Sequence, residues 1–389
     1  MIKPFKVKAS SKTINEIYNK VKKYPWNNIQ DMNGWDYGTN YKYLKNISSY
    51  WVTKFNWRKQ EKEINKFSNY LSKVNGVNIH FIKEKGSGSN PIPLLILHGW
   101  PGSVVEFLNI IEKLAHPERY GGKKEDSFDV IVPSLPGFGF SESTKKPIGP
   151  RKMASILNKL MTKNLGYNKY LSQGGDWGAT ISNWLAYDHH KNCKGIHINC
   201  LTMRHPKGPK TKQEKKWEVK FTKDQILQDG YRTQQSTKPQ SLSYAMIDSP
   251  VGVAAWILEK FFFWSDIEKN KIQKIYSKDT LLTNIMIYLI TNTFNTASWI
   301  YFGRRKEGGR LFPKKFKKIF TPTAVAEFPK EMSEWPPKSY VKRIFNLKHW
   351  TRMPRGGHFA ALEEPNLLVN DIQKFGRIVR KKFNEKKIK

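Results

Sequence analysis

Residues 173–178 hold a carboxylate in a turn that could expose it as a nucleophile. They read Gln-Gly-Gly-Asp-Trp-Gly, so Gly174 and Gly178 lie two positions before and after Asp176. This is the spacing of the G-x-S-x-G nucleophile elbow, a strained turn between a strand and a helix, with Asp in place of Ser. The N-terminus of the following helix favours a negative charge. The hexapeptide alone fits an Asp that caps a helix in a glycine-rich turn equally well.

An aspartate nucleophile restricts the chemistry that such an elbow can perform. A serine alkoxide suits attack on an acyl carbonyl, whereas a carboxylate can displace a leaving group at a saturated carbon and form an alkyl ester on the enzyme. Water then attacks the carbonyl of that ester. Asp176 therefore indicates an epoxide or an alkyl halide as substrate and disfavours a serine-type esterase.

A second motif, at residues 98–103, could supply the oxyanion hole. It reads His-Gly-Trp-Pro-Gly-Ser and follows a short apolar run. In hydrolases with a nucleophile elbow, a loop at this place donates one backbone N–H, and the residue after the nucleophile donates the other. The motif therefore predicts Trp100 and Trp177 as donors. By itself it is also an ordinary Gly-Pro turn, and the order of the two motifs is what favours the functional interpretation.

A third motif, at residues 355–361, places His358 in a glycine-rich loop late in the chain. Such a histidine can act as a general base, although a single histidine is more often structural. The chain order nucleophile, acid, histidine is that of α/β-hydrolases. The acid would be Glu327, Glu331 or Glu334, and the pattern of residues does not separate the three.

The elements expected around these motifs alternate between strands and helices. Short apolar runs typical of buried parallel strands alternate with helical stretches from residue 93 to residue 198, and strand patterns resume at residue 321. The stretch 203–311 is mostly helical, which predicts a lid over the site. We expect an α/β fold, a mostly parallel sheet covered on both faces, with this lid inserted and an N-terminal helical extension.

Composition narrows the class of protein. The 389 residues include 68 basic and 32 acidic ones, a net charge of +36, and two cysteines. The charge could serve binding to nucleic acid or an anionic membrane, but the basic residues are spread along the chain and are mostly Lys, which favours a solvated surface. The two cysteines indicate neither a disulfide framework nor a metal cluster. No apolar run reaches the roughly 18 residues of a membrane span, so we expect a soluble, cytoplasmic protein.

Together the motifs resemble those of microsomal-type epoxide hydrolases, the group that includes juvenile hormone epoxide hydrolases and shorter bacterial members. The resemblance extends over nearly the whole chain and rests on residues 3–5, 43–45, 98–103, 133–141, 173–178, 248–252, 355–358 and 363–365. It implies the α/β-hydrolase fold and four parts of the chain. These are an N-terminal extension (1–90), a first core part (91–202), the lid (203–311) and a second core part (312–389).

The resemblance also implies roles for individual residues. Asp176 matches the nucleophile, His358 the base and Glu331, in a Phe-Pro-x-Glu stretch, the acid that orients it. Tyr231, which follows Gly230, matches the first lid tyrosine that donates to the epoxide oxygen. The second matches Tyr301, although the residues around it depart from the family pattern.

Tyr288 is the alternative for the second lid tyrosine. The resemblance further implies a small hydrophobic epoxide as substrate, a diol as product, and neither a metal nor an organic cofactor. It implies no nucleic-acid partner, and a homodimer is the assembly to test. Two other functions stay open, a haloalkane dehalogenase on the same fold and a non-catalytic protein that binds through its positive charge.

Overall fold

The computed structural model describes residues 1–268 and 271–384 and contains one nine-stranded sheet. The strands are β1 (Ile2–Phe5), β2 (Asn69–Val74), β3 (Val77–Glu84), β4 (Ile92–Leu97), β5 (Phe128–Pro133), β6 (Tyr170–Gly174), β7 (Cys193–Ile198), β8 (Ile319–Glu327) and β9 (Phe345–Arg352). Their order across the sheet is β1-β2-β3-β5-β4-β6-β7-β8-β9. The pairs from β5 to β9 are parallel, and those from β1 to β5 are antiparallel. The expectation of a mostly parallel sheet is confirmed.

Helices cover the sheet and form the insertion. They are α1 (Ser11–Lys22), α2 (Tyr41–Thr53), α3 (Trp57–Ile64), α4 (Leu108–Ala115), α5 (Pro150–Lys159), α6 (Asp176–Asp188), α7 (Lys212–Gln228), α8 (Gly230–Thr237), α9 (Pro239–Asp248), α10 (Pro250–Phe263), α11 (Lys278–Ile290), α12 (Phe294–Lys306), α13 (Lys338–Ile344), α14 (Ala360–Glu363), α15 (Pro365–Val379) and α16 (Lys381–Asn384). Helices α7 to α12 all come between β7 and β8. None of the helices in the described part of the chain combines the length and hydropathy that a membrane span needs.

Strand β4 shows why the central strands are continuously apolar. Leu95 and Leu97 belong to the core that includes α5, α6 and the inserted helices, whereas Leu94 and Ile96 belong to the core formed with α4 and α15. Successive side chains of a strand point to opposite faces, so a strand covered on both faces needs apolar residues at every position. Two cores therefore hold the sheet between them.

The strand order brings two of the motifs together. The chain leaves β4 for β5 on one side, and β6 then pairs with β4 on the other. Such a reversal opens a crevice at the carboxyl ends of the two strands. The loop after β4 carries residues 98–103, and the turn after β6 carries Asp176. The sheet therefore sets both motifs at one edge.

The N-terminal segment both extends the sheet and contacts the inserted helices. It contains the expected helices α1 to α3, but residues 3–5 belong to strand β1, and β3 pairs with β5. The indole of Trp35 stacks on Phe262 at 3.9 Å between ring centroids, and Tyr50 donates a hydrogen bond of 2.8 Å to Asp279. The four-part division of the chain stays a prediction, and its last five residues, 385–389, lie outside the described residues.

Candidate active site

The elbow around Asp176 is a strained turn that only small neighbours permit. Asp176 has a φ of +44°, in the left-handed region that non-glycine residues rarely adopt. A Cβ atom on Gly178 would lie 2.0 Å from the carbonyl oxygen of Leu97, and one on Gly174 would lie 2.3 Å from the backbone of Gly178. The two flanking glycines therefore let helix α6 start directly against strand β4. This packing directs the Asp176 carboxylate into the site at the carboxyl edge of the sheet.

Backbone N–H groups hold the Asp176 carboxylate where an oxyanion would form. The N–H of Trp100 donates to its Oδ1 at 2.8 Å, and the N–H of Trp177 also donates to this carboxylate. Gly99 has to lack a side chain because a Cβ there would lie 2.1 Å from Asp176 Oδ1. The two tryptophans that the motifs single out thus supply converging donors.

His358 lies between two carboxylates. Its Nδ1 is 2.7 Å from Oε1 of Glu331, and its Nε2 is 3.8 Å from Oδ2 of Asp176. All three side chains are buried. They come from three different strand ends, after β6, β8 and β9. The geometry is that of a nucleophile, a base and a residue that orients the base.

The structure distinguishes the three glutamates that the sequence offers as candidates for the acid beside His358. Glu327 accepts a hydrogen bond of 2.7 Å from the indole of Trp350, and Glu334 pairs with Lys220 at 2.7 Å near the surface. Of the three, Glu331 is the one that contacts His358.

The two tyrosines expected from the sequence lie near Asp176, which affects the pKa of both. Tyr231 on α8 and Tyr301 on α12 are buried, with ring centroids 5.8 Å apart and planes at 83°. Tyr231 stacks on Trp100 at 5.3 Å, and Tyr301 meets Trp177 edge-on at 4.6 Å. The Tyr301 hydroxyl makes no hydrogen bond of good geometry among the described residues, although the Trp177 indole and Tyr231 lie near enough to affect its pKa. Tyr288, the alternative, instead donates to the carbonyl oxygen of Gly102 at 2.8 Å.

Burial and mutual charge shift the pKa values of these groups. Burial raises the pKa of Asp176 above its usual value, against the opposing effects of His358 and of the Trp100 and Trp177 N–H groups. Burial acts to lower the pKa of His358, but Glu331 and Asp176 outweigh it and raise that pKa to about 9. Burial raises the pKa of both Tyr231 and Tyr301, so both stay protonated as donors near neutral pH.

A small cavity of about 20 Å³ lies beside Asp176 and His358. Its lining includes a third acidic side chain, that of Glu106, and the amides of Gln173 and Asn199. The motifs do not single out Glu106, although it lies three positions after Ser103. The one available signal is a charged residue near the start of a mostly apolar helical stretch, residues 104–114.

The loop that carries His358 is bound to residues 264–266 of the inserted segment. The N–H of His358 donates to the carbonyl oxygen of Trp264 at 2.8 Å. Asp266 accepts from the N–H of Gly356 at 2.9 Å, and its own N–H donates to Glu363 at 2.8 Å. Five residues, three near His358 in sequence and two from the insertion, are thus joined around His358. We name this set of hydrogen bonds the base clamp.

One group near the site has side chains that metals favour. Cys200, Glu331 and His358 bring ligand atoms within 4.8 Å of one another. Burial raises the pKa of the Cys200 thiol well above its usual value, and Nδ1 of His358 already faces Glu331. A metal ion here would have to deprotonate the thiol and displace that contact.

Comparisons with known proteins agree with this geometry. Residues 2–107 match the sequence model described as the epoxide hydrolase N terminus, and residues 92–246 match that of the alpha/beta hydrolase fold. The chain is 38% identical to epoxide hydrolase 1 of Sus scrofa, over 96% of this chain and 88% of the relative. It is 33% identical to juvenile hormone epoxide hydrolase 1 of Ctenocephalides felis, over 99% and 89% of the two chains.

Solved structures show the same relationship. The juvenile hormone epoxide hydrolase of the silkworm Bombyx mori superposes with a TM-score of 0.87 at 29% identity, covering 99% of this chain and 96% of the other. The Aspergillus niger epoxide hydrolase superposes with a TM-score of 0.83 at 28% identity, covering 97% of each chain. The expectation of an α/β-hydrolase fold is confirmed.

Proposed function

The chain belongs to the epoxide hydrolase family and is an epoxide hydrolase, and we propose that it hydrates a hydrophobic epoxide through a covalent ester on Asp176. The observation that carries this proposal is the buried Asp176 carboxylate, which faces two backbone N–H donors on one side and His358 on the other. Each step below uses only groups of this chain, the epoxide and water.

In the first step, Asp176 opens the epoxide ring. Trp100 holds Oδ1, so Oδ2 attacks a ring carbon, and the carbon–oxygen bond of the ring breaks. The hydroxyls of Tyr231 and Tyr301 bind the epoxide oxygen, and one of them gives its proton to the developing alkoxide. A phenol suits this role because it donates a proton without carrying a charge beforehand. The product is a hydroxyalkyl ester on Asp176.

In the second step, water cleaves the ester. His358, oriented by Glu331, takes a proton from water, and the hydroxide adds to Cγ of Asp176. The negative charge that forms on Oδ1 faces the N–H groups of Trp100 and Trp177, an arrangement that typically contributes about 10²–10³-fold per donor. The intermediate then expels the diol oxygen, which takes the proton from His358. Asp176 is left as a carboxylic acid that contains one oxygen from water, and its proton passes to His358, which restores the carboxylate and the imidazolium of the resting enzyme.

The charge of Asp176 sets the order of the two steps. Asp176 is among the groups that raise the pKa of His358. Ester formation removes this negative charge, and the pKa of His358 then falls. The imidazolium therefore releases a proton once the ester exists. This proton replaces the one that the tyrosine pair gave to the alkoxide. His358 becomes a base at the stage that needs one.

The rings around the site favour an apolar substrate. Trp100, Trp264, Tyr231 and Tyr301 are buried and pack against one another above Asp176. Pockets of this kind bind mainly through apolar contact, with a few polar groups that fix orientation. In this site those polar groups are the two tyrosine hydroxyls.

The test is diol formation from a panel of epoxides that includes styrene oxide. We expect diol from the parent and none from Asp176→Ala. Asp188→Ala is the matched control because Asp188 lies exposed at the other end of helix α6. Diol formation by Asp176→Ala at the parental rate would overturn the assignment of the nucleophile.

Haloalkane dehalogenation is a second candidate function, and one observation favours it. The indole N–H groups of Trp100 and Trp177 have no hydrogen-bond partner among the described residues, and indoles of this kind could hold a halide ion. Halide release from chloroalkanes, measured beside diol formation on the same panel, separates the two reactions.

We further propose a cytoplasmic location and a homodimer as the first assembly to test. The two cysteines, Cys193 and Cys200, are free and buried, which suits a reducing compartment. Analytical ultracentrifugation would report the oligomeric state. Retention on heparin that disappears at moderate salt, with no diol formed, would favour a role for the positive charge in binding polyanions.

A further inference from the structure

The cavity beside Asp176 has the size of one water molecule. Its volume of about 20 Å³ exceeds the roughly 10–15 Å³ that a single water needs. The polar groups that line it include the side chains of Asp176, His358, Glu106, Gln173 and Asn199. A water in this cavity would lie between the ester that Asp176 forms and the base that His358 provides.

Glu106 reaches this cavity because of the loop that precedes it. It lies on the 3-10 turn Val104–Phe107, directly after the motif that contains Trp100. A Cβ atom on Gly102 would lie 1.5 Å from Oε1 of Glu106, so the carboxyl group occupies the space that a side chain there would fill. The absence of a side chain at Gly102 therefore leaves room for the carboxyl group of Glu106.

The surroundings of Glu106 couple it to the reaction. Burial raises the pKa of Glu106 to about 8, His358 opposes this shift, and Asp176 adds to it. Tyr276 and Tyr288 also face this carboxyl group. Formation of the ester acts on this pKa in two opposite ways, because loss of the Asp176 charge lowers it and loss of the proton from His358 raises it. The position of Glu106 in the lining of the cavity, beside Asp176 and His358, is what couples it to the second step.

We propose that Glu106 is a catalytic residue of the second step, in which it accepts a hydrogen bond from the hydrolytic water while His358 takes that water's other proton. Two acceptors fix both O–H bonds of the water, so that a lone pair points at Cγ of Asp176. Glu106 takes no proton and forms no covalent bond. The water proton goes to His358, and the new bond joins the water oxygen to Cγ. This inference rests on the function proposed above.

The proposal predicts that the two steps respond differently to Glu106→Gln. Ring opening involves the tyrosines and Asp176, and its single-turnover rate should stay within about threefold of the parental rate. Hydrolysis of the ester should slow by about tenfold, because the charged acceptor of the water's hydrogen bond is replaced by a neutral one that binds roughly half as strongly. The ester should therefore accumulate as a mass increase on the intact protein equal to the mass of the epoxide.

Three further variants make the experiment decisive. Glu112→Gln is the matched control because Glu112 lies exposed on the next helix, α4, and both of its rates should equal the parental ones. Glu106→Asp keeps the charge but shortens the side chain, and its hydrolysis rate should fall between those of the parent and Glu106→Gln. His358→Gln should trap the ester almost completely.

The outcomes separate this inference from the function on which it rests. An absence of ester in His358→Gln would overturn the covalent mechanism itself. Ester in His358→Gln, together with parental hydrolysis in Glu106→Gln, would overturn only the role of Glu106. Equal slowing of ring opening and hydrolysis in Glu106→Gln and Glu106→Asp would assign Glu106 a structural role and also overturn the proposal. Circular dichroism at the assay temperature verifies that each variant is folded.

Discussion

Nε2 of His358 lies 3.8 Å from Oδ2 of Asp176, on the side of the imidazole ring opposite to Glu331. At this distance the two groups attract each other in the resting enzyme without a hydrogen bond. The space between these two atoms lies beside the cavity that fits one water molecule. In the proposed mechanism Nε2 of His358 therefore pairs with the charge of Asp176 before ring opening and faces the hydrolytic water afterwards.

Replacing His358 by Gln removes the base but leaves Asp176 and both tyrosines. We expect ring opening to proceed and hydrolysis of the ester to slow by about 10²–10⁴-fold, the usual effect of general acid–base catalysis. Rapid-quench measurements of one turnover report both rates. A hydrolysis rate equal to that of the parent would contradict the assignment of His358.

Replacing Glu331 by Gln keeps an acceptor beside His358 and removes a charge. Because this charge raises the pKa of His358, that pKa falls in the variant. Hydrolysis requires the neutral imidazole. The acid limb of its pH–rate profile should therefore lie at a lower pH than in the parent, and the plateau rate should be lower. Glu334→Gln, at the exposed pair with Lys220, should leave the pH profile unchanged. An unshifted limb in Glu331→Gln would argue for another acid.

Replacing Tyr231 or Tyr301 by Phe removes one donor to the epoxide oxygen. Each change should slow ring opening by about 10²-fold, and the double variant should be slower than either single one. Tyr288→Phe is the control because its hydroxyl is bound to Gly102. It should cost about 1 kcal/mol in the free energy of unfolding and leave the ring-opening rate near the parental value. A greater loss of rate in Tyr288→Phe than in Tyr301→Phe would reverse the assignment.

Glu106 makes the stability of the protein depend on pH. Its pKa rises from 4.5 to about 8 on folding, so the folded state binds more protons, and the stability falls as the pH rises between these values. Glu106→Gln cannot ionise. Its melting temperature should therefore decrease less between pH 5 and pH 8 than that of the parent. His358, with a pKa raised from 6.5 to about 9, contributes stability that is full below pH 6.5 and lost through about pH 9. This contribution is smaller in Glu106→Gln, because Glu106 is among the groups that raise this pKa.

Adding a methyl group at Gly178 should disrupt the elbow. Its Cβ would lie 2.0 Å from the backbone oxygen of Leu97, and neither helix α6 nor strand β4 can move away cheaply. We expect Gly178→Ala to lower the free energy of unfolding by at least about 1–3 kcal/mol. Gly230→Ala, where a Cβ meets no atom within 4 Å, should change it by less than about 1 kcal/mol. Urea titrations of the two variants give the comparison.

The sequence predicts those parts of the site that depend on short segments. The elbow and the loop around Trp100 could be identified because each is a strand followed at once by a turn whose glycines are needed locally. The apolar runs of β4 and β5 likewise predict buried strands because both faces of the sheet are covered. These constraints act within about ten residues of the chain.

The remaining parts depend on contacts between distant residues. Glu327, Glu331 and Glu334 follow one strand, and only the packing of Trp350 and Lys220 against two of them leaves Glu331 for His358. The pairing of β3 with β5 joins the N-terminal segment to the core, which no local pattern indicates.

The base clamp has a consequence for engineering the enzyme. Each of its three hydrogen bonds joins Trp264 or Asp266 of the insertion to a residue of the later segment, which is His358, Gly356 or Glu363. A chimaera that exchanges the insertion between relatives, in order to transfer substrate preference, also exchanges the partners of the loop that carries His358. Such grafts should retain activity only when the donor insertion brings a carboxylate equivalent to that of Asp266 to the N–H of Gly356, and when the recipient keeps a glutamate that accepts from the N–H of Asp266. Selectivity and catalytic competence are thus inherited together in this architecture.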